Sequence, residues 1–345
     1  MMAFIKNSIL GFSILIFSSR AFANLPVYPL QFPRDDGAHY ADVPYSVSNM
    51  TEWWYYNGKL VSLSGQSFGY SITFFNIQID LFSHKIVIPT LMMQLTDIDH
   101  HKVYGKFIVY PKNKTNLSTQ TLDVVFNAKD LSVKELNRSH YLISELKTTQ
   151  GNEIHFSLKM QPTGPILLES KDGLVPIDKG HNAYYYANTR MITSGSLQID
   201  HNSYSLDATQ STSWMEHVWG DFLLSASDPW FFANIRLENG IDINLVNMLD
   251  HQTHDPNDVN HVNIRMPDGS NTYLTSGIKV KLSSEKPYAT HAEISIENAN
   301  LHLSLESLSD GQDVNGWWEG IARVEGLYNG KEVSGFGYVQ ITAKK

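Results

Sequence analysis

Glu153-Ile154-His155-Phe156-Ser157-Leu158-Lys159-Met160 alternates strictly: Ile154, Phe156, Leu158 and Met160 are apolar, and the residues between them are polar or charged. Period-two patterning places successive side chains on opposite faces of a strand and reads as a half-buried β-strand. The pattern repeats outward along the chain. Phe231, Ala233, Ile235 and Leu237 form one face against Asn234, Arg236 and Glu238, and Ile241, Ile243 and Leu245 resume it after Asn239-Gly240. That dipeptide suits a type I′ hairpin turn, and Asn57-Gly58, Asp268-Gly269 and Asn329-Gly330 carry the same signal. No amphipathic stretch predicts a helix longer than two turns. The sequence therefore predicts an all-β, antiparallel protein.

One stretch changes phase. Phe68, Tyr70, Ile72 and Phe74 are apolar, and then Phe75, Ile77 and Ile79 take over. A β-bulge near Phe74–Phe75 would keep the apolar side chains on one face and bend the strand, as a closed barrel requires. Pro162 to Asp178 is richer in proline and glycine and lacks alternation, which puts a domain boundary near residue 180. The expected organisation is a signal segment over 1–23, one barrel over 24–180 and a second over 181–345. Trp53-Trp54 beside Glu52 and Trp317-Trp318 beside Glu319 faintly echo one another across the two halves.

The first residues have the layout of a secretory signal peptide: Lys6, an apolar run from Ile9 to Phe17, and Ala21-Phe22-Ala23 as a small-x-small cleavage site. The apolar core is shorter than a membrane span needs. Export to the periplasm or outside the cell is the expectation, with the mature chain starting near Asn24. An exported chain with no cysteine depends on its core alone, and about 320 residues can build two. A net charge of −9 argues against a nucleic-acid partner. Seven tryptophans and seventeen tyrosines suit an apolar cleft for a small hydrophobic molecule, which a soluble protein could collect by transient contact with a membrane. The oligomeric state is not legible.

Three segments concentrate aromatic and ionisable side chains. In Glu52-Trp53-Trp54-Tyr55-Tyr56, alternation puts Glu52, Trp54 and Tyr56 on one face and Trp53 and Tyr55 on the other. In Tyr184-Tyr185-Tyr186-Ala187-Asn188-Thr189-Arg190, Tyr184 and Tyr186 project together, and Arg190 is a candidate counter-ion for Glu52. In Ser213-Trp214-Met215-Glu216-His217-Val218-Trp219, an acid and an imidazole are adjacent. They can serve one cleft only if the strand turns or bulges. Glu216 beside apolar neighbours could hold a proton near neutrality, and His217 could relay one. For each segment a structural role, as ion pair or domain glue, competes with a functional one. The His/Asp-rich stretch Asp250, His251, His254, Asp255 and His261 has no familiar metal spacing, so no metal site is assigned. A serine hydrolase is disfavoured, because no Gly-x-Ser-x-Gly elbow is present.

Glu52-Trp53-Trp54-Tyr55, Tyr184-Tyr185-Tyr186 with Thr189-Arg190, and Trp214-Met215-Glu216-His217-Val218-Trp219-Gly220 resemble, in order, the signature segments of the AttH/CrtC-like family, which includes carotenoid 1,2-hydratases. Trp230-Phe231-Phe232, Trp318-Glu319-Gly320 and Gly335-x-Gly337-Tyr338-Val339 are similar to its later strands. The resemblance implies two lipocalin-like barrels around a hydrophobic cleft. It also implies cofactor-free acid–base chemistry, such as adding water across a carbon–carbon double bond of an isoprenoid, polyene or fatty chain. A non-catalytic carrier on the same scaffold is the competing expectation. By this resemblance Glu216, His217 and Asp250 are the candidate catalytic residues. Glu52, Trp53, Trp54, Tyr55, Tyr184, Tyr186, Arg190, Trp214, Trp219 and Trp230 are the candidate substrate-binding ones. Two departures stand out: Glu216 occupies a position where the family usually has Asp, and Leu245-Val246-Asn247 stands about where its hydratases have Tyr-x-Asp, leaving Asp250 as the nearest acid.

Overall fold

The structure, a computed structural model, describes residues 25, 27–39, 49–81, 84–178, 181–223, 230–248, 260–283, 288–314 and 316–342. The expected signal segment, Asp250, His251, His254 and Asp255 lie outside them. Among the described residues the protein is almost wholly antiparallel β, in two large curled sheets.

The first sheet has fourteen strands. At its centre Asn49–Val61 pairs with Ser67–Leu81 on one side and Thr212–Gly220 on the other, and Thr212–Gly220 in turn pairs with His181–Ile199. The sheet then runs through Glu153–Pro162 and Ser139–Lys147 to the short strands of residues 115–136. It curls so that distant strands face one another. The Phe126 ring stands 6.0 Å from Phe74, and the Tyr56 hydroxyl lies 2.8 Å from His140 Nδ1. The enclosed core holds Trp54, Phe68, Phe74, Phe126 and Leu142. The second sheet has ten strands, with Trp230–Leu237, Lys331–Thr342 and Trp317–Tyr328 at its middle. Its own core contains Phe231, Ile235, Ile243, Leu303 and Val324. These are two lipocalin-like halves.

The central strands of both sheets are buried on both faces, because the convex sides of the two sheets pack together. Asn57 Nδ2 donates to Asn234 Oδ1 at 2.8 Å across this seam, and the Tyr55 ring meets Phe232 at 6.3 Å. Gly69 admits Ile321 so closely that a Cβ there would stand 2.6 Å from its Cγ2. Burial on both sides explains the unbroken aromatic runs: each face of the strand has an interior of its own.

Three expectations are corrected by the same geometry. No bulge occurs at Phe74–Phe75, and the register with both neighbouring strands is continuous there. The phase changes because Phe74 faces the first core while Phe75 faces the seam, against Trp53 and Trp317. Asn57-Gly58 is not a turn but mid-strand, and Gly58 is required by the close approach of Thr212, whose carbonyl oxygen would lie 2.3 Å from an added Cβ. The change of sheet falls between Gly220 and Trp230, not near residue 180. His181–Ile199 and Thr212–Gly220 belong to the first sheet, and the Pro/Gly-rich stretch folds back as Leu167–Leu168 and Leu174–Asp178 on the edge of His181–Ile199. Asn329-Gly330, with φ of 49° and 73°, does make the expected two-residue turn between Trp317–Tyr328 and Lys331–Thr342. At Asn239-Gly240 only the glycine has positive φ, so the hairpin forms through a wider loop.

Candidate functional site

Thr212–Gly220 runs straight through the middle of the first sheet, paired on both sides, so its side chains alternate without interruption. Glu216 and His217 therefore point to opposite faces, and the single cleft that a turn or bulge would have allowed does not form. Each residue belongs to a separate buried polar cluster.

His217 faces the first core with Glu52, Trp54, Tyr184, Tyr186 and Trp219. Here the N-terminal segment Val27–His39 folds over the end of the sheet and contributes three buried ionisable side chains, Asp35, Asp36 and His39. Glu52 Oε1 lies 3.1 Å from His217 Nε2 and 3.2 Å from His39 Nδ1, and it accepts the His39 backbone N–H at 2.9 Å. Asn76 donates to its other oxygen at 3.3 Å. His39 Nε2 lies 3.1 Å from Asp35 Oδ1, and His217 Nδ1 lies 3.1 Å from the Asp35 carbonyl oxygen. Both rings are clamped by stacking, His39 on Trp219 at 3.8 Å and His217 on Trp54 at 4.4 Å. Burial alone would raise the Glu52 carboxyl, but hydrogen bonds and charge from His217 and His39 outweigh it and bring it to about 2. Burial lowers His217 to about 4 against the pull of Glu52. His39 is raised despite its burial, by Asp35 and Glu52. Asp36, buried and hydrogen-bonded by the Tyr186 hydroxyl at 2.5 Å, is pushed up to about 7.

Glu216 faces the seam, with Trp53, Tyr55 and Trp214. The Tyr185 hydroxyl donates to Glu216 Oε2 at 2.8 Å, the Trp214 indole N–H at 3.2 Å and the Asn234 amide at 3.4 Å. A second carboxyl stands beyond Tyr185: Asn244 Nδ2 donates to Glu169 Oε1 at 2.7 Å and to the Tyr185 hydroxyl at 2.6 Å. Desolvation pushes Glu216 up to about 7 and Glu169 up to about 8, because only neutral amides, an indole and a hydroxyl offset it. Glu169 Oε2 has no protein partner among the described residues, and neither ring nitrogen of buried His261 has one. The His261 ring lies 5.6 Å from Tyr273. Tyr273 packs with Trp230, Val246, Phe232 and Phe222 in an apolar cluster that continues the seam beside Val175 and Tyr185. Polar groups converging at the edge of an apolar, aromatic layer are what a site for an apolar substrate needs.

Arg190 does not meet Glu52. The register shifts between Asn188 and Met191, which turns Arg190 toward the second sheet, where Nε donates to Asp242 Oδ1 at 2.8 Å. Thr189 donates to the same carboxylate at 2.7 Å and accepts from Arg265 at 2.7 Å, so this part of the motif ties the two sheets together. Trp230 donates from its indole to Gln340 at 3.0 Å and packs edge-on against Trp317. The candidates thus divide. Glu52, Trp54, Tyr184, Tyr186, His217 and Trp219 share the core cluster, whereas Trp53, Tyr55, Trp214, Glu216 and Trp230 face the seam. Sequence reading missed Asp35, Asp36 and His39, which precede the recognisable strands, and Glu169, which sits in the stretch read as marking a domain boundary. It took His261 only as part of a His/Asp-rich stretch, yet alternation with the apolar Val262 and Ile264 already puts it on the opposite face of a strand, which the structure turns to the seam.

A family model described as AttH-like matches residues 23–344. The chain belongs to the AttH-like family. A crystal structure of an AttH protein from Nitrosomonas europaea superposes with a TM-score of 0.76 at 18% identity, covering 94% of this chain and 100% of that one. Kievitone hydratase from Nectria haematococca gives 0.68 at 16% identity, over 85% of this chain and 89% of that one. CghA in complex with Sch210972 gives 0.54 at 10% identity, over 86% and 89%. At these identities the likeness is one of fold. No curated protein matches the sequence.

Proposed function

We propose that this AttH-like protein is an exported enzyme that takes an elongated apolar substrate, an isoprenoid, polyene or fatty chain, into the seam between its two sheets. There it carries out cofactor-free acid–base chemistry of the hydratase, lyase or isomerase type. The observation that carries the reading is the Glu169 carboxyl: buried, with one oxygen unpartnered among the described residues, beside Tyr185 and at the edge of the aromatic cluster. A carboxyl held protonated at neutral pH in an apolar site is a competent general acid. In a hydration the Glu169 proton would form the new C–H bond at one carbon of a double bond. Water would form the C–O bond at the other and return one proton to the Glu169 carboxylate. Asn244, which donates both to Glu169 Oε1 and to the Tyr185 hydroxyl, would hold that carboxyl in place. One solved structure of the same fold is a hydratase by name, which agrees with this reaction class.

The test incubates the purified full chain and Glu169→Gln with apolar polyenes, and follows binding by fluorescence and conversion by mass spectrometry. Turnover reduced by about 10²–10⁴-fold with affinity unchanged supports the general acid. Binding without turnover in either protein makes the chain a carrier. No binding of any apolar chain removes the seam as a substrate site. The N-terminus recovered from the exported fraction tests the secretory leader, with Asn24 or a near neighbour expected.

A further inference from the structure

The core cluster around Glu52 lies on the opposite face from the seam and has no part in the reaction above. With both rings neutral its hydrogen inventory does not close. Each imidazole faces an acceptor at both ring nitrogens: His39 faces Glu52 Oε1 and Asp35 Oδ1, and His217 faces Glu52 Oε1 and the Asp35 carbonyl. A neutral imidazole has a single N–H. If that hydrogen goes outward to Asp35 in both rings, three lone pairs, from His39 Nδ1, His217 Nε2 and Glu52 Oε1, converge with nothing positive between them.

We propose that His39, Glu52 and His217 form a buried binding site for a divalent transition-metal ion, zinc being the best match of those with mixed imidazole and carboxylate ligands. The three donor atoms lie within 4.8 Å of one another. Glu52 Oε1 is 3.1 and 3.2 Å from the two nitrogens, close to the edge of about 3.4 Å that ligands at about 2.1 Å make in a tetrahedral shell. The outward contacts are those of metal-bound histidines, which donate the second ring N–H to a carboxylate or a backbone carbonyl. Here Asp35 supplies both, its side chain to His39 and its carbonyl to His217. Stacking on Trp219 and Trp54 fixes both ring planes. Because His39 and Asp35 arrive on the N-terminal segment while Glu52 and His217 belong to adjacent strands, the ion would pin that segment over the end of the barrel.

Elemental analysis of untagged full-length protein, and titration of chelator-treated protein with zinc sulfate, test this. The expected result is stoichiometric zinc, a melting temperature raised several degrees by zinc and lowered by chelator, and a d–d absorption band when cobalt(II) replaces it. Asp35→Asn is expected to weaken binding about 10–100-fold, as loss of an outer-shell partner does, and Glu52→Gln to abolish it. Because the cobalt spectrum is read on the wild-type chain, a variant that fails to fold does not block the test. Two results would overturn the proposal. One is a wild-type chain that binds no zinc or cobalt and is indifferent to chelator, which makes the cluster a proton-filled hydrogen-bond network. The other is stoichiometric zinc retained by folded Glu52→Gln, which places the metal elsewhere, as on the His/Asp-rich stretch 250–261.

Discussion

Replacing Glu169 with Gln isolates one buried carboxyl whose protonation should govern stability around neutral pH. Burial raises this carboxyl from 4.5 to about 8 in the folded chain. The unfolded chain gives up the proton above about pH 4.3, while the folded chain keeps it. Folding therefore weakens as pH rises through that interval, and the loss is complete above about 8. One retained proton corresponds to about 1.4 kcal/mol per pH unit, and the whole interval to about 5 kcal/mol at most. Other groups share part of the window with opposite sign. His140, His217 and His261 are lowered to about 4, so the folded chain binds fewer protons there and stability gains as pH rises toward 6.5. Glu216 and Asp36, raised to about 7, act like Glu169 but over a shorter range. The difference between wild type and Glu169→Gln cancels those shared contributions. Urea denaturation at half-unit steps from pH 5 to 8.5 should show the variant gaining on wild type by about 1.4 kcal/mol per unit, then levelling. A difference that stays flat, or that runs the other way, would refute a neutral Glu169 and with it the proposed proton donor.

Two further outcomes follow from packing. Gly58→Ala should cost about 1–3 kcal/mol in urea denaturation, because the new Cβ meets a backbone oxygen of the adjacent strand at 2.3 Å and no side-chain rotation relieves it. Trp219→Ala should cost about 3–5 kcal/mol, since the buried indole stacks on both His39 and Tyr184 and its loss leaves a cavity under the N-terminal segment. A loss below about 1 kcal/mol would mean that the segment does not rest on this ring.

The all-β class was legible because alternation is local: Glu153–Pro162 reads as a strand from its own residues and is one. The packing of the two sheets was not, since it depends on which convex faces meet. Phe74 and Phe75 show the difference. From sequence alone, two neighbouring phenylalanines on a strand suggest a bulge that keeps both on one side. In the structure each has its own interior, one within the barrel and one in the seam. The domain boundary read at Pro162 to Asp178 does not coincide with the change of sheet for a related reason. Proline and glycine do mark turns there, but the turns return the chain to the same sheet, and Glu169 reaches the seam from one of them.

Glu52 and Glu216 show how the site follows from strand alternation rather than from residue type. Both are glutamates, both are buried, and they stand on adjacent paired strands, yet they lie at opposite ends of the protonation scale. Glu52 is met by two imidazoles and a backbone N–H, enough to hold it ionised against burial. Glu216 is met by a phenol, an indole and an amide, none of which carries charge, so desolvation prevails. The difference comes from a single step along Thr212–Gly220. His217 turns to Glu52 on the inner face, and the same pleat turns Glu216 away from every imidazole that serves Glu52. A bulge at Glu216–His217 would have brought acid and imidazole together and left Glu216 ionised. The continuous register with Asn49–Val61 instead keeps a fixed anion in the barrel core and two carboxyls raised by burial, Glu216 and Glu169, in the seam.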